Sequence, residues 1–508
     1  MSPNAPKEAE KIQKSFVGQI ISFGNVQVFL QLRSLIALPI LARILGAEGL
    51  GTIAPLTALS SLVQAMVLLG TNTSLVVFIP RSSPEKRSAQ FWGVFQLTLI
   101  TSILAILLLG ILFPIIKPLV LNPEISFDLY LASLLLVPAH TLHLILFSQV
   151  INNQQGKQYS NVVLINSVFD ILVTIGFAYL WGLTGVIAAM VLSQLLLALL
   201  TMQIIRKVDG FVPLNKQQLA GLKVFYSYGL VMFVSGFASN LVASSDRLII
   251  SRYLQVEEVG IYDVIYNLTS KLNQLAIPLY ATLMPFVVQS VQAKNIEKAK
   301  FYLNQTARIL LFVFLPFIFL YWIEGFDILL ILTGADFVSG INLIPWIAFG
   351  ILLWQLSGVF EYNLHAHQKG KFLLISLIAG AIVNVVLNLI FVPLYGSIAA
   401  AISTLVAYLV ILLLNAQFSG RYLSFNWDLA TLAKILLSCA LMSLACLQLK
   451  TYLSGVNPVF RLFIVTGMGG VLYLLFARLL NLLTTMEQEY LLAAVKSVFQ
   501  RRSSKGGA

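Results

Sequence analysis

Leu41-Ala-Arg-Ile-Leu45, with Gly51 shortly after it, returns later in the chain as Ile250-Ser-Arg-Tyr-Leu254, with Gly260 at the matching place. The two copies lie 209 residues apart (41 to 250). Gln155-Gly-Lys157 also has a later counterpart, and its offset is 214 residues (155 to 369). Two motifs that give nearly one offset indicate an internal repeat. The sequence therefore predicts two copies of one structural unit.

The sequence around these motifs is strongly apolar. Of its 508 residues, 58% are hydrophobic and 10% are charged, and the mean hydropathy is +0.89. Soluble domains carry about a quarter charged residues, so a water-soluble globule is excluded. Continuous apolar runs such as Leu97–Phe113 and Leu405–Leu414 also exclude the alternating pattern of an outer-membrane barrel. We expect an all-α integral membrane protein.

Clusters of charge, proline, glycine and asparagine divide the chain into about fourteen transmembrane helices. Six helices fall in each copy of the repeat, and an even number makes the second copy enter the membrane from the same side as the first. The sequence therefore predicts two six-helix lobes related by a parallel repeat around a central cavity, plus two extra C-terminal helices. The predicted parts are an N-terminal tail (1–15), an N-lobe of helices 1–6 (16–208), an inter-lobe linker (209–222), a C-lobe of helices 7–12 (223–420), helices 13–14 (421–482) and a basic C-terminal tail (483–508).

The net charge of +12 is spread over short loops and is not clustered, so nucleic acid is not an expected partner. With the N-terminus placed in the cytoplasm, nearly all loop lysines and arginines fall on the cytoplasmic side, as the positive-inside rule requires. Only Arg43, Lys117, Arg252 and Lys450 fall on the other side. This pattern predicts a multi-pass protein with both termini in the cytoplasm.

Metal chemistry has little support in the sequence. Cys439 and Cys446 lie in one apolar run and provide neither a disulfide framework nor a set of metal ligands. His140 and His143 lie one turn apart on predicted helix 4, where no nearby residue completes a metal site. We interpret these histidines as a polar pair with hydrogen-bond partners inside the bundle, and we expect neither a metal nor a cofactor.

Three stretches resemble a known family. They are Leu41-Ala-Arg-Ile-Leu-Gly46 with Gly51, Ser245-Asp-Arg-Leu-Ile-Ile-Ser-Arg-Tyr-Leu254 with Gly260-Ile-Tyr262, and the Gln155-Gly-Lys157 turn. Together they resemble bacterial oligosaccharide-lipid (polysaccharide biosynthesis) flippases of the multidrug/oligosaccharidyl-lipid/polysaccharide exporter superfamily, and the helix total is similar to that of the lipid II flippase branch. The resemblance covers predicted helices 1 to 12. It implies a cavity that opens alternately to either side, lined by helices 1, 2, 7 and 8, in the bacterial cytoplasmic (inner) membrane.

A flippase moves a large polar head group across the membrane while the polyprenyl tail stays in the bilayer. It needs a polar cavity and cations for the pyrophosphate, and it needs no catalytic residues. The resemblance therefore implies a transporter, not an enzyme, that translocates a polyprenyl-pyrophosphate-linked oligosaccharide. The implied partners are the polyprenyl-linked glycolipid, membrane lipid and the polysaccharide polymerase machinery.

Two other functions remain open. A multidrug antiporter of the same superfamily would bind organic cations through acidic side chains, whereas Arg33, Arg247 and Lys271 within the spans suit an anionic substrate. A membrane-embedded glycosyltransferase or ligase would need an acidic or metal-binding motif and a large outer loop. The loops here are short and carry no such motif, so the flippase hypothesis is favoured.

Polar side chains inside spans are costly and are therefore functional candidates. On predicted helix 8, Asp263, Asn267, Lys271 and Gln274 fall on one narrow stripe when each residue advances by 100°. Gln64 lies on a comparable polar face of predicted helix 2. These residues are candidates for lining a substrate cavity. Hydrogen bonding between helices is the alternative.

Two arginines lie within predicted spans. Arg33 is too deep in predicted helix 1 to snorkel easily, and binding of phosphate and a structural ion pair are equal alternatives for it. Arg247 on predicted helix 7 has the same two alternatives, as a cavity cation or as part of a pair that stabilises its lobe. Asp246 points about 100° away from Arg247, so these neighbours are not expected to pair with each other.

Four carboxylates are candidates for binding a coupling ion: Asp170, Asp246, Asp263 and Glu361. Asp170 aligns with Asn384 through the repeat, so a structural polar role for Asp170 is equally supported. Glu361 lies near the predicted inner end of helix 10 and is expected to snorkel towards water.

Overall fold

The computed structural model describes residues 5–213, 216–425 and 428–482, with side chains described for 33–83, 86–213, 221–280, 283–425 and 428–482. Every regular element in these ranges is an α-helix or a 3₁₀ helix. The predicted C-terminal tail (483–508) lies outside the described residues, as do parts of the N-terminal tail and of the inter-lobe linker. The α-helices are α1 (Ala5–Leu68), α2 (Thr71–Phe78), α3 (Pro84–Ile111), α4 (Phe113–Val120), α5 (Phe127–Leu134), α6 (Leu136–Asn152), α7 (Gly156–Asp209), α8 (Lys216–Tyr253), α9 (Val256–Ser270), α10 (Ile277–Gln292), α11 (Ile296–Leu332), α12 (Ile344–Ala366), α13 (Gly370–Tyr395), α14 (Ser397–Gly420), α15 (Leu429–Tyr452) and α16 (Pro458–Leu479).

Among the described residues, 11 helices are long and apolar enough to cross a membrane. Val256–Tyr280 and Leu283–Gln292 are bent by 41° relative to each other, and together they are long and apolar enough to form one broken span or a re-entrant loop. The chain is thus an all-α, multi-pass membrane protein, as the composition predicted. The predicted total of fourteen helices is not confirmed by this count.

Two long helices each contain a sharp break at a glycine. α7 has 54 residues and would be about 80 Å long if it were straight, whereas a bilayer core is about 30 Å thick. Its backbone leaves the helical region at Gly182 (φ 57°, ψ −130°), and that of α1 does so at Gly46 (φ 65°, ψ −173°). A side chain at such a positive φ would be strained, so glycine permits the chain to turn here without a loop. Each of the two long helices is thus two helical segments joined at a glycine.

The described chain forms two compact units. The first unit takes the described residues up to Leu268 together with Leu332–Leu343 and Leu373–Ile411, and in it α1 packs against α7 and α8. The second unit takes Thr269–Ile331, Ile344–Phe372 and the described residues from Leu412 onward, and in it α15 packs against α16. The predicted domain boundaries stay predictions.

The glycines that mark the repeat meet inside the first unit. A Cβ atom on Gly51 would lie 1.8 Å from the carbonyl oxygen of Val256, and a Cβ atom on Gly260 would lie 1.9 Å from the carbonyl oxygen of Ala47. Ala47 and Val256 are themselves related by the 209-residue offset (47 to 256), so the contact is reciprocal. Backbones this close leave no room for a side chain on either glycine.

The segment predicted as helix 8 is interrupted in the structure. α9 ends at Ser270, a 3₁₀ helix covers Lys271–Leu275, and α10 begins at Ile277. Pro278 lies in the first turn of α10 and has no N–H group for the carbonyl four residues earlier, which favours a break in the α-helical pattern just before it. A 3₁₀ helix also advances by about 120° per residue instead of 100°. Lys271 and Gln274 therefore do not continue the α-helical stripe of Asp263 and Asn267.

Candidate functional site

The carboxylate of Asp246 on α8 is completely buried, with 0% exposure. It accepts hydrogen bonds from the Tyr262 hydroxyl at 2.5 Å, from the Thr404 hydroxyl at 2.7 Å and from the Asn388 side-chain amide at 2.7 Å. Within the described side chains, no lysine or arginine nitrogen lies within ion-pair distance of it. A buried carboxylate whose hydrogen-bond donors are all neutral is costly unless it is protonated or bound to a cation.

Further oxygen atoms surround Asp246. The Oδ1 atom of Asn384 accepts hydrogen bonds from Ser245 Oγ at 2.8 Å and from Asn388 Nδ2 at 3.3 Å. The Oδ1 atom of Asn388 is buried and has no hydrogen-bond partner among the described residues. Carboxylate, amide and hydroxyl oxygens are the ligands that hard cations prefer. We call Ser245, Asp246, Asn384, Asn388 and Thr404 the Asp246 cluster.

Arg247 points away from Asp246, as expected, and pairs with Asp263 on α9. Its Nε atom lies 2.7 Å from Asp263 Oδ1, and its guanidinium carbon lies 4.3 Å from the centre of the Tyr266 ring. Asn267 donates a hydrogen bond to the other oxygen of Asp263 at 2.9 Å. Arg247 also donates to the carbonyl of Ala243, and its remaining N–H groups have no acceptor among the described residues. A pair between α8 and α9 is thus present, and donors remain for an anionic group.

Arg33 and Asp170, which the sequence singled out separately, form an ion pair with each other. Arg33 Nε lies 3.3 Å from Asp170 Oδ2, and the two side chains are 25% and 13% exposed. The pair joins α1 to α7 within the first unit. It favours the ion-pair alternative for Arg33 and a structural role for Asp170.

The other candidates are half-buried polar groups. Lys271 and Gln274 lie in the 3₁₀ helix, none of whose residues is buried. Gln64 is half-buried in α1. Glu361 on α12 is 41% exposed, with one carboxylate oxygen 3.3 Å from His365 Nε2. Lys271, Gln274 and Glu361 belong to the second unit, whereas Gln64 belongs to the first.

His143 has a partner within the bundle. Its Nε2 atom lies 2.9 Å from the Tyr159 hydroxyl, and Tyr159 is 4% exposed. This contact agrees with the interpretation of His143 as a polar group with a hydrogen-bond partner.

A buried charge cluster in the second unit was missed by the sequence reasoning. Asp327 on α11 is 0% exposed and accepts hydrogen bonds from Arg461 Nη2 at 2.5 Å and from Arg461 Nε at 3.0 Å. Lys450 Nζ lies 3.2 Å from Asp327 and 3.4 Å from Glu324, which is 1% exposed. These four residues connect α11 to α15 and α16. Two carboxylates three residues apart on one apolar helix were the sequence signal for this cluster.

Two family models match the chain. A model described as polysaccharide biosynthesis protein matches residues 17–291, which is more than half of the 508 residues. A model described as MatE matches residues 230–390.

Known proteins similar to this chain include two named flippases. A probable low-salt glycan biosynthesis flippase of Haloferax volcanii is 20% identical over 260 residues, which cover 51% of this chain and 55% of that protein. The lipid II flippase MurJ of Bacillus subtilis is 26% identical over 171 residues, which cover 32% of this chain and 30% of that protein. The matched segments thus span about half or less of these relatives.

The fold itself is that of a solved transporter structure. Lipid II flippase MurJ in an inward closed conformation superposes with a TM-score of 0.72 at 16% identity, covering 89% of this chain and 98% of that chain. At this identity the likeness concerns the fold alone.

Proposed function

The chain belongs to the polysaccharide biosynthesis protein family, and on that premise we propose that it is a flippase for a polyprenyl-pyrophosphate-linked oligosaccharide. It translocates this precursor of cell-surface polysaccharide across the cytoplasmic (inner) membrane by alternating access. Both termini lie in the cytoplasm, and the polysaccharide polymerase machinery takes over the product. The two named relatives are flippases, which supports a transporter and not an enzyme.

The observation that carries the proposal is the buried guanidinium of Arg247. Its side chain is 9% exposed and keeps N–H groups that have no acceptor among the described residues. Arginine presents several donors in a planar group and binds phosphate oxygens through charge-assisted hydrogen bonds. Lys271, on the partly exposed 3₁₀ helix, belongs to the second unit and is a separate candidate for binding phosphate. Arg33, the third cation that the sequence singled out, is instead paired with Asp170.

Neutral polar groups in each unit are further candidates for contact with the substrate. Asn267, Gln274 and Gln64 present amides that suit the hydroxyl groups of a sugar. Asn267 is already engaged with Asp263, which fixes its orientation.

Coupling to a cation at Asp246 is part of the proposal. Asp170 and Asp263 are each paired with an arginine, and Glu361 is 41% exposed beside His365. Asp246 is the buried candidate that has only neutral donors around it. A proton or monovalent cation that binds and leaves there provides a driving force for the cycle.

The second candidate function is that of a multidrug antiporter. The MatE model match over residues 230–390 favours it. The charge of the cations within the spans opposes it, because an organic cation is repelled by Arg247 and Lys271. No comparable observation favours a glycosyltransferase or ligase.

The test measures transbilayer movement of a pyrophosphate-linked glycolipid in proteoliposomes. Arg247→Ala and Lys271→Ala should each slow flipping about tenfold or more, since a hydrogen bond to a charged group contributes about 1.5–3 kcal/mol. Lys157→Ala, at the exposed start of α7, is the matched control and should flip at the wild-type rate. Wild-type rates in both test variants would refute the cationic site. Export of a cationic dye in place of flipping would support the antiporter.

A further inference from the structure

The two copies of the repeat differ in how their central polar site is neutralised. Asp170 on α7 and Asn384 on α13 are equivalent through the 214-residue offset (170 to 384). Asn384 belongs to the Asp246 cluster, where no lysine or arginine nitrogen reaches the carboxylate within the described side chains. Asp170 instead has the guanidinium of Arg33 at 3.3 Å. The Asp170 site thus has the positive charge of an arginine side chain beside it. Its repeat equivalent, the Asp246 cluster, has none among the described side chains.

The site around Asp170, in the first repeat, also has oxygen atoms that can bind a cation. Asn166, Asp170 and Thr174 follow one another at intervals of four residues, so they share one face of α7. Asn166 is 2% exposed and Thr174 is 4% exposed. The Asn166 Oδ1 atom and the Thr174 Oγ1 atom are both buried without a hydrogen-bond partner among the described residues. This set resembles the Asp246 cluster in chemistry, with a carboxylate, an amide oxygen and a hydroxyl.

A carboxylate within a membrane span requires a positive partner or a proton. A proton or a metal ion can leave, and its departure can be coupled to a conformational change. A guanidinium that is attached to α1 cannot leave, and arginine stays charged at every physiological pH. Asp170 is therefore permanently neutralised, whereas Asp246 depends on what the solution supplies.

We propose that Arg33 is a tethered cation that fills, in the first repeat, the place of the exchangeable cation bound by the Asp246 cluster in the second repeat. The protein then exchanges one cation per cycle instead of two. This inference rests on the coupling role proposed for Asp246, and it assigns Arg33 to Asp170 and not to the substrate.

The test counts cations bound by the purified full-length protein. Binding of radioactive Na⁺ is measured in detergent in a choline chloride buffer, and proton release on Na⁺ addition is followed with a pH dye. The wild-type protein should bind one cation per chain. Arg33→Ala should bind two, because Asp170 then recruits a second cation from solution. Arg33→Lys should keep one, since lysine restores the tethered charge.

A double variant separates this inference from its alternatives. Arg33→Ala/Asp170→Asn removes both charges, so the number of cations bound per chain should return to one. The flipping rate of this double variant should be closer to that of the wild-type protein than the rate of Arg33→Ala is. If Arg33 binds the substrate phosphate, the double variant stays inactive and the inference is overturned. If Arg33→Ala fails to fold, Arg33→Met and the double variant provide the same comparison.

The outcomes also distinguish the inference from the coupling proposal. A folded Arg33→Ala protein that binds no more cations than the wild-type protein overturns the inference. A wild-type protein that binds no cation refutes coupling at Asp246. In that case the inference falls as well, because it rests on an exchangeable cation at Asp246. One bound cation in the wild-type protein and an unchanged count in Arg33→Ala overturn the inference alone.

Discussion

Arg461→Met should weaken the attachment of α16 to α11. Arg461 gives Asp327 two hydrogen bonds, at 2.5 and 3.0 Å, and Asp327 is 0% exposed. After the substitution, Lys450 is left as the cation for two buried carboxylates, at 3.2 Å from Asp327 and 3.4 Å from Glu324. Methionine keeps an apolar chain of similar length, so the change removes mainly charge and hydrogen bonds.

The expected loss is about 3–5 kcal/mol in the free energy of unfolding, the cost of breaking a buried ion pair by removing one partner. The lower end of that range applies here, because the Arg461 side chain is 14% exposed and some water reaches it. Replacing both partners should cost much less, since no uncompensated charge is then left behind. Arg461→Met/Asp327→Leu should therefore recover more than half of the loss.

The measurement is unfolding by sodium dodecyl sulfate in a mild detergent, followed by tryptophan fluorescence. Arg478→Met is the matched control, because Arg478 lies in the last turn of the same helix and is exposed. Arg478→Met should lower the free energy of unfolding by no more than about 1 kcal/mol. The reasoning is refuted if Arg461→Met is as stable as this control, or if the double variant is no more stable than the single one.

Three further results are expected. Gly260→Ala should lower the free energy of unfolding by about 1–3 kcal/mol through overpacking. Gly236→Ala, whose added Cβ has nothing within 4 Å, should lower it by nothing. Equal stabilities of the two variants would contradict the close backbone contact. Asp246→Asn should make flipping in proteoliposomes independent of an imposed Na⁺ or proton gradient, and a variant that still responds to the gradient would rule out Asp246 as the coupling group. Tyr159→Phe should cost about 1–3 kcal/mol because it leaves the buried ring nitrogen of His143 without its partner, and an unchanged unfolding midpoint would count against that hydrogen bond.

The sequence predicted the membrane fold because long apolar runs dominate its composition, and that signal needs no knowledge of tertiary contacts. It singled out Arg33 and Asp170 for the cost of placing ionisable groups in a span. Their pairing could not be predicted, because it depends on how α1 packs against α7. The contacts of Asp246 with Asn388 and Thr404 depend in the same way on helices that are remote in sequence.

Two errors came from treating local patterns as sufficient. Glu324 and Asp327 were not among the charged candidates within the predicted spans, whereas α11 runs from Ile296 to Leu332 and contains both, because Lys450 on α15 and Arg461 on α16 neutralise them. The polar stripe on predicted helix 8 assumed an uninterrupted α-helix. Pro278 lies in the first turn of α10, and a proline at this place in the sequence is a signal for such a break.

The reciprocal contact of Gly51 and Gly260 resembles an interface between two copies of one protein. In a homodimer with two-fold symmetry, residue i touches residue j while j touches i, so one codon determines both sides of the contact. Gly51 against Val256 and Gly260 against Ala47 keep that arrangement inside a single polypeptide. The two glycines are separate codons here, so a single substitution changes only one of them. A side chain at either position would nevertheless collide with the backbone of the other copy, so both positions must stay glycine for this contact to form.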